Sequence, residues 1–308
     1  MNKITLIIAG TLLGLASSLS AQAIEEKNVT SGKVQLDPAK GYIFLTSPVR
    51  TNGMFVRVPD ADDYAEYRAD WEKAFAKAEK SYASAMANWK KDFEIAKAQD
   101  KKPRPEPVKP TRETFSIGPI ELRTTVSFGP TFVYNKTKAP DSFSYLNAVK
   151  PGTYIYYGPV FAGPNGFAGY CYCMGSVKFE VKAGVVTDLG TVLAQVVGTE
   201  GLIGFDKVDD QPGRFTDGNQ AATAVGPDQA QYGVPGSLGA LPTVQVELHA
   251  AGKMNNFLGI RVARAAPVPG VLAYQRDTVI DLRTGQPIPV AVLPFTPVDP
   301  ADSIPDEE

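Results

Sequence analysis

The sequence is poor in the residues on which most catalytic and metal centres depend. Its 308 residues include one His, two Cys and two Trp. A single His excludes a zinc site built from several His of one chain. It also leaves one candidate base for Ser-His catalysis, and no Gly-x-Ser-x-Gly elbow accompanies it. That residue, His249, falls out of phase with apolar Val244, Val246 and Leu248, so it is expected to face away from the core. Two Cys cannot make a disulfide scaffold, so a hydrophobic core must hold the fold. Neither charge sign dominates: 31 Lys plus Arg stand against 33 Asp plus Glu. The balance gives no chain-wide drive toward nucleic acid or anionic lipid. Beyond the amino terminus, no stretch approaches the ~20 apolar residues of a spanning helix.

The first residues are distinctive. Met1-Asn2-Lys3 carries one positive charge, Ile4 to Leu15 is apolar except for Thr and Gly, and Ala21-Gln22-Ala23 is a small-x-small site. This pattern reads as a signal peptide over 1–23, cut after Ala23. The expected destination is the periplasm, the outer-membrane surface or the exterior. No Cys lies near the cleavage site to take a lipid anchor. In a eukaryotic secretory route, Asn28-Val29-Thr30 and Asn135-Lys136-Thr137 would be glycosylation sequons.

Gly and Pro are plentiful, 28 and 25, but unevenly spread. Between 54 and 117 there is no Gly, and between 60 and 102 no Pro. In that gap Tyr64, Tyr67, Trp71, Phe75, Ala78, Tyr82, Ala85, Trp89, Phe93 and Ala96 recur at steps of three and four. The mean step of about 3.6 residues predicts one amphipathic helix. Asp60 is placed to cap it, and Lys97 sits near its carboxyl end, as the helix dipole favours. From 61 to 100 the helix would be about 60 Å long. Lys101-Lys102-Pro103-Arg104-Pro105-Glu106-Pro107-Val108-Lys109-Pro110 follows, an extended polyproline-II stretch. Residues 100–119 span a similar ~60 Å at 3.1 Å each. The matching lengths suggest a return path along the helix. A kink at Ser81–Ser84, or a helix laid across a sheet, is the alternative.

On either side the pattern is short strands. Tyr42–Thr46, Met54–Val58, Ile120–Phe128, Thr153–Tyr157, Val177–Val181 and Val185–Leu193 are the clearest, and 34–194 holds seven or eight. Val244, Val246, Leu248 and Ala250 alternate as one further strand. The expected fold is mainly β: a two-sheet sandwich over 34–194, interrupted at 60–114 by the helical and Pro-rich insertion. Residues 195–286 form a loop-rich β extension or a small second domain. Residues 287–308 are a Pro-rich acidic tail ending in Asp306-Glu307-Glu308.

Pro151-Gly152-Thr153-Tyr154, Phe179-Glu180-Val181-Lys182-Ala183-Gly184 and Thr187-Asp188-Leu189-Gly190 together resemble carboxypeptidase-regulatory-like domains. The resemblance covers about 150–194. It implies a transthyretin-type (immunoglobulin-like) β-sandwich of the non-catalytic kind found in secreted proteins. It brings no functional residue with it, and the family pattern lacks the inserted helix.

Four groups of residues could carry function. Cys171 and Cys173 share a strand face and are read as two buried thiols, as a disulfide if the backbone bends, or with Met174 as a soft-metal site. Tyr154, Tyr156, Tyr157, Phe161, Phe167, Tyr170 and Tyr172 are either strand packing or a platform for a glycan or peptide. Asp206, Asp209, Asp210, Asp217 and Asn219 lie in a Gly-rich stretch, as a solvated loop, a calcium site or glycan-hydrolysing carboxylates. The stripe of Tyr64, Tyr67, Trp71, Phe75, Tyr82, Trp89 and Phe93 packs on its own return segment or on another protein. The expectation is an exported, non-enzymatic envelope or surface protein without a cofactor, docking a protein partner or a second copy through 60–114. The alternatives are a small-ligand, glycan or metal-binding protein, or a glycan-active enzyme.

Overall fold

The computed structural model describes residues 22–48, 50–129, 131, 133–135, 142–163, 166–193 and 227–289. In chain order the strands and helices begin with β1 (Gln22–Ala23), α1 (Glu26–Thr30), β2 (Gly41–Ser47), β3 (Gly53–Arg57) and α2 (Ala61–Ala98). Then come β4 (Thr125–Phe128), β5 (Phe143–Val149), β6 (Gly152–Gly158), β7 (Val160–Gly163), β8 (Gly166–Cys171) and β9 (Ser176–Val181). The last are β10 (Val186–Asp188), β11 (Thr243–Gln245), β12 (His249–Ala251), β13 (Arg261–Val262), β14 (Leu272–Gln275), β15 (Thr278–Asp281) and β16 (Gln286–Pro287). The protein is mainly β with one long helix. It divides into two units, and all the strands lie in the first; α2 and the Pro-rich stretch, Pro59–Leu122, belong to the second.

The first unit is built on two five-stranded sheets, ordered β1-β5-β2-β10-β11 and β12-β9-β6-β3-β4. Their facing residues enter one core: Ile43, Leu45 and Tyr145 from the first sheet, Phe55, Phe128, Tyr154, Phe179 and Val181 from the second. Phe128 and Tyr145 meet across it with ring centroids 5.6 Å apart. The opposite face of the first sheet is also covered, with Tyr42, Phe44 and Leu146 packing on Ile24, Tyr134 and Leu238. On the second sheet Met54, Val56 and Tyr157 pack with Val160 and the two Cys. Strands covered on both faces need no polar alternation, which explains the apolar runs of β2 and β3.

Two smaller sheets, β13-β8-β7 and β14-β15-β16, complete the unit. The expected single strand over 244–250 is in fact two. β11 pairs with β10 in the first sheet, and β12 pairs with β9 in the second. The chain changes sheets at 246–248, a tertiary choice that alternation alone cannot register. In the described part of 195–286, β11, β12 and β13 thus join strands from earlier in the chain, while β14, β15 and β16 form a sheet of their own.

In the second unit, α2 runs unbroken from Ala61 to Ala98, without the alternative kink at Ser81–Ser84. Asp60 and Asp63 close a reciprocal capping box: Asp63 N–H donates to Asp60 Oδ1 at 3.0 Å, and Asp60 N–H to Asp63 Oδ2 at 2.8 Å. The helix stops at Gln99, where Asp100 adopts φ of 53° and turns the chain.

Candidate functional site

The return segment is fastened to α2 through its aromatic stripe. The Trp89 indole N–H donates to Arg104 O at 2.8 Å, Trp71 N–H to Phe115 O at 3.2 Å, and Tyr67 O–H to Gly118 O at 2.7 Å. Helix numbers fall as return numbers rise, so the two run antiparallel. A polyproline strand makes no internal hydrogen bonds, so its carbonyls are free to accept from side chains. From Trp89 to Trp71 the helix rises about 27 Å, while Arg104 to Phe115 would extend about 34 Å. A turn closed by Phe115 N–H on Thr111 O takes up the slack.

Near the capped end the packing is dense. Trp71 and Phe75 are 3% and 7% exposed and stack with centroids 5.0 Å apart. Phe115 sits edge-on to both rings. The Arg112 guanidinium lies 5.2 Å from the Trp71 ring and 5.4 Å from Phe75, and it grips Glu72 with two 2.8 Å bonds. Tyr64 is half-buried, and burial together with the nearby Glu121 and Asp63 carboxylates pushes its hydroxyl pKa up. Toward the far end the cover thins. Tyr82, Trp89 and Phe93 are half-buried, and Pro103, Pro107 and Pro110 are the half-buried residues of the polyproline run. The seven residues of the stripe are thus divided. Trp71 and Phe75 are enclosed within their own unit, and the outer three keep ring area open.

The Cys pair lies where β8 leaves its sheet. Cys171 ends the strand, the chain turns over 173–175, and the Cα atoms of Cys171 and Cys173 come within 5.0 Å. A regular strand would hold them ~6.5–7 Å apart. The bend allows the disulfide that joins them. It lies beneath Met254, Phe257, Leu258 and Ile260. Both sulfurs are committed to each other, and Met174 points into solvent, so the three sulfurs do not form a ligand set. Among the described residues no group of His, Cys, Asp or Glu is arranged to hold a metal.

The dense aromatics separate into two sets. Tyr154, Tyr156, Tyr157 and Tyr172 are buried in the core, and Tyr170 is partly buried against it. Burial pushes the Tyr156, Tyr172 and Tyr274 hydroxyls well up, so they remain protonated. Enclosed rings cannot stack on a sugar, which removes these four tyrosines from a glycan platform. Phe161 and Phe167, on the β7–β8 hairpin, are exposed. His249 is at the surface, with Nε2 3.8 Å from Glu247 Oε1. Asp206, Asp209, Asp210, Asp217 and Asn219 lie outside the described residues, as do positions 1–21 and 290–308 of the expected signal peptide and tail.

The chain matches no family model, no curated protein and no solved structure. Its function must be argued from its own geometry. One residue with a structural role escaped the sequence reading. Asp188 is buried and accepts from Gly190 N–H at 2.8 Å and Gly233 N–H at 2.7 Å. It thereby pins 231–233 to the end of β10. Its only sequence signal was the following Leu189-Gly190 turn.

Proposed function

We propose that this is an exported, non-enzymatic protein of the cell envelope or surface. In this reading a transthyretin-type β-sandwich is the scaffold, and the helix–polyproline unit docks a protein partner or a second copy. One observation carries the reading. β3 and β4 are antiparallel neighbours, with Val56 opposite Thr125, so a short turn would connect them. The connection instead contains all of Pro59–Leu122. Binding residues concentrate on connections that a rigid scaffold holds out, and this connection is far longer than the pairing of β3 with β4 needs. The insertion also carries its own internal support, because Trp71, Phe75, Phe115 and Arg112 pack among themselves. Tyr82, Trp89 and Phe93 supply aromatic area of the kind that anchors protein interfaces.

The test replaces 59–122 with Asn-Gly. The expected product is a cooperatively folding β-unit that no longer cross-links to the partner recovered with the intact protein from envelopes. Loss of folding would make the insertion part of the fold's core. Retained cross-linking would move the interface off the insertion.

A further inference from the structure

The β7–β8 hairpin has a surface unlike the rest of the chain. No charged residue occurs from Pro151 to Val177. Much of that run is core, but its hairpin is not. Phe161 is 54% exposed and Phe167 45%, and Ala162 and Ala168 beside them are exposed as well. The register places Phe161 opposite Ala168 and Ala162 opposite Phe167. Paired residues share a face and successive residues alternate, so the two Phe occupy opposite faces of the hairpin. Both faces of its outer half are therefore apolar. Phe161 leans toward the tip, since a Cβ at Gly163 would lie 2.9 Å from its ring.

Polarity changes along the hairpin's length. Val160 and Cys171 at its base are buried. Tyr170 lies beside Arg261 of β13, which is exposed. From Tyr170 to Gly166 the strand rises about 13 Å, and the two Phe lie in the outer half of that rise.

We propose that the outer half of this hairpin, Phe161–Gly163 with Gly166–Ala168, enters the interfacial region of a lipid bilayer. A protein groove would enclose an apolar hairpin from limited directions, and a sugar-binding platform would place hydrogen-bonding groups beside its rings. A bilayer offers apolar medium to both faces at once, and its hydrocarbon edge carries no charge, matching a run from Pro151 to Val177 that carries none. An insertion depth of ~5–10 Å is typical of peripheral elements at the headgroup–acyl boundary. It would submerge Phe161 and Phe167 and leave Tyr170 and Arg261 at headgroup level, where Tyr and Arg are favoured. Deeper insertion is opposed by exposed Arg261 of β13, which lies beside Tyr170. The inference does not rest on α2, so it stands or falls separately from the docking role of the insertion.

The experiment is co-sedimentation of the chain beginning at Gln22, which keeps β1, with phosphatidylcholine vesicles. Starting at Gln22 keeps the apolar run Ile4–Leu15 out of the measurement. Roughly half of each ring remains to be buried, so each Phe→Ser change should lower partitioning about tenfold. The double variant F161S/F167S should fall about a hundredfold while keeping a cooperative urea transition, which separates lost binding from lost folding. F161L/F167L should retain most of the binding. Raising salt should change partitioning less than about threefold, since the hairpin itself carries no charge. No partitioning of the unmodified chain overturns the proposal. So does equal partitioning by F161S/F167S, or binding that needs anionic lipid and disappears in salt.

Discussion

Trp71 is where the account of the second unit is most exposed to test. Its ring is 3% exposed, stacked on Phe75, flanked by Phe115 and covered by Arg112, and its N–H donates to Phe115 O. Removing a buried Trp ring by mutation to Ala ordinarily costs 3–5 kcal/mol. Here the ring sits between one helix and one strand, which can close on the space, so about 3 kcal/mol is expected. Trp71→Phe keeps a ring and removes the donor. Phe115 O can then turn to water, so its cost is that of one neutral hydrogen bond, about 1 kcal/mol.

The chain has two Trp, and both lie on α2. In either variant Trp89 is the sole indole, and it reports on the return segment through its bond to Arg104 O. A unit of this size has a urea m-value near the low end of the usual range, about 1 kcal/mol/M. The Trp89-detected midpoint should fall by about 1 M in Trp71→Phe, and by about 3 M or to complete loss in Trp71→Ala. Tyrosine signals from the β-unit should keep their midpoint. A Trp71→Ala shift no larger than that of Trp71→Phe would refute the packing argument. Equal shifts at both probes would mean that the two units unfold together, against the internal support argued for the insertion.

The disulfide and Asp188 give two further tests. Cys171 and Cys173 are 0% and 4% exposed, so native protein in dithiothreitol should resist alkylation and label only after unfolding; rapid native labelling, read by mass, would contradict the burial. Closing three residues should contribute only about 1.6 kcal/mol through chain entropy, which a Cys171→Ala/Cys173→Ala double variant would measure together with any packing change. Burial holds the Asp188 pKa above its ordinary value, against the lowering effect of its two backbone N–H partners. The native state therefore binds that proton more tightly than the unfolded chain. The resulting stability is greatest below about pH 4 and is lost as pH rises through the folded-state pKa. Asp188→Asn presents one acceptor oxygen for two N–H groups and should cost about 1–3 kcal/mol. Its urea-midpoint deficit should narrow from pH 4 to pH 7, and a deficit that widens would reverse the sign of the argument.

What the sequence displayed clearly was local. α2 could be read because ten positions repeat at helical spacing across a stretch without Gly or Pro, and because Asp60 and Asp63 supply a cap from adjacent residues. The return path was legible because helix and polyproline rises are fixed, so two lengths could be compared. Which indole met which carbonyl was not legible, because the turn at 111–115 shifts the register. The strands were found more readily than their partners. β2 lies between β5 and β10, whose sequence positions are remote from it and which no short window connects. Cys171 and Cys173 looked too far apart for a bond while their strand was assumed to continue, and the bend after Cys171 removed that obstacle.

The aromatic run shows the same limit from its functional side. Seven aromatic rings, five Tyr and two Phe, fall between 154 and 172, and nothing in their spacing separates core from surface. Exposure divides them because β6 is a central strand covered on both sides, whereas the outer half of β7–β8 lies beyond the core that holds its base. Tyr154, Tyr156, Tyr157 and Tyr172 can be explained by packing alone, so their presence calls for no ligand. Packing accounts for only about half the area of Phe161 and Phe167, and the other half faces outward on a hairpin with no charge. The residues that the core leaves unexplained are therefore the better guides to an outside partner, and here they lead away from the tyrosines to the hairpin tip.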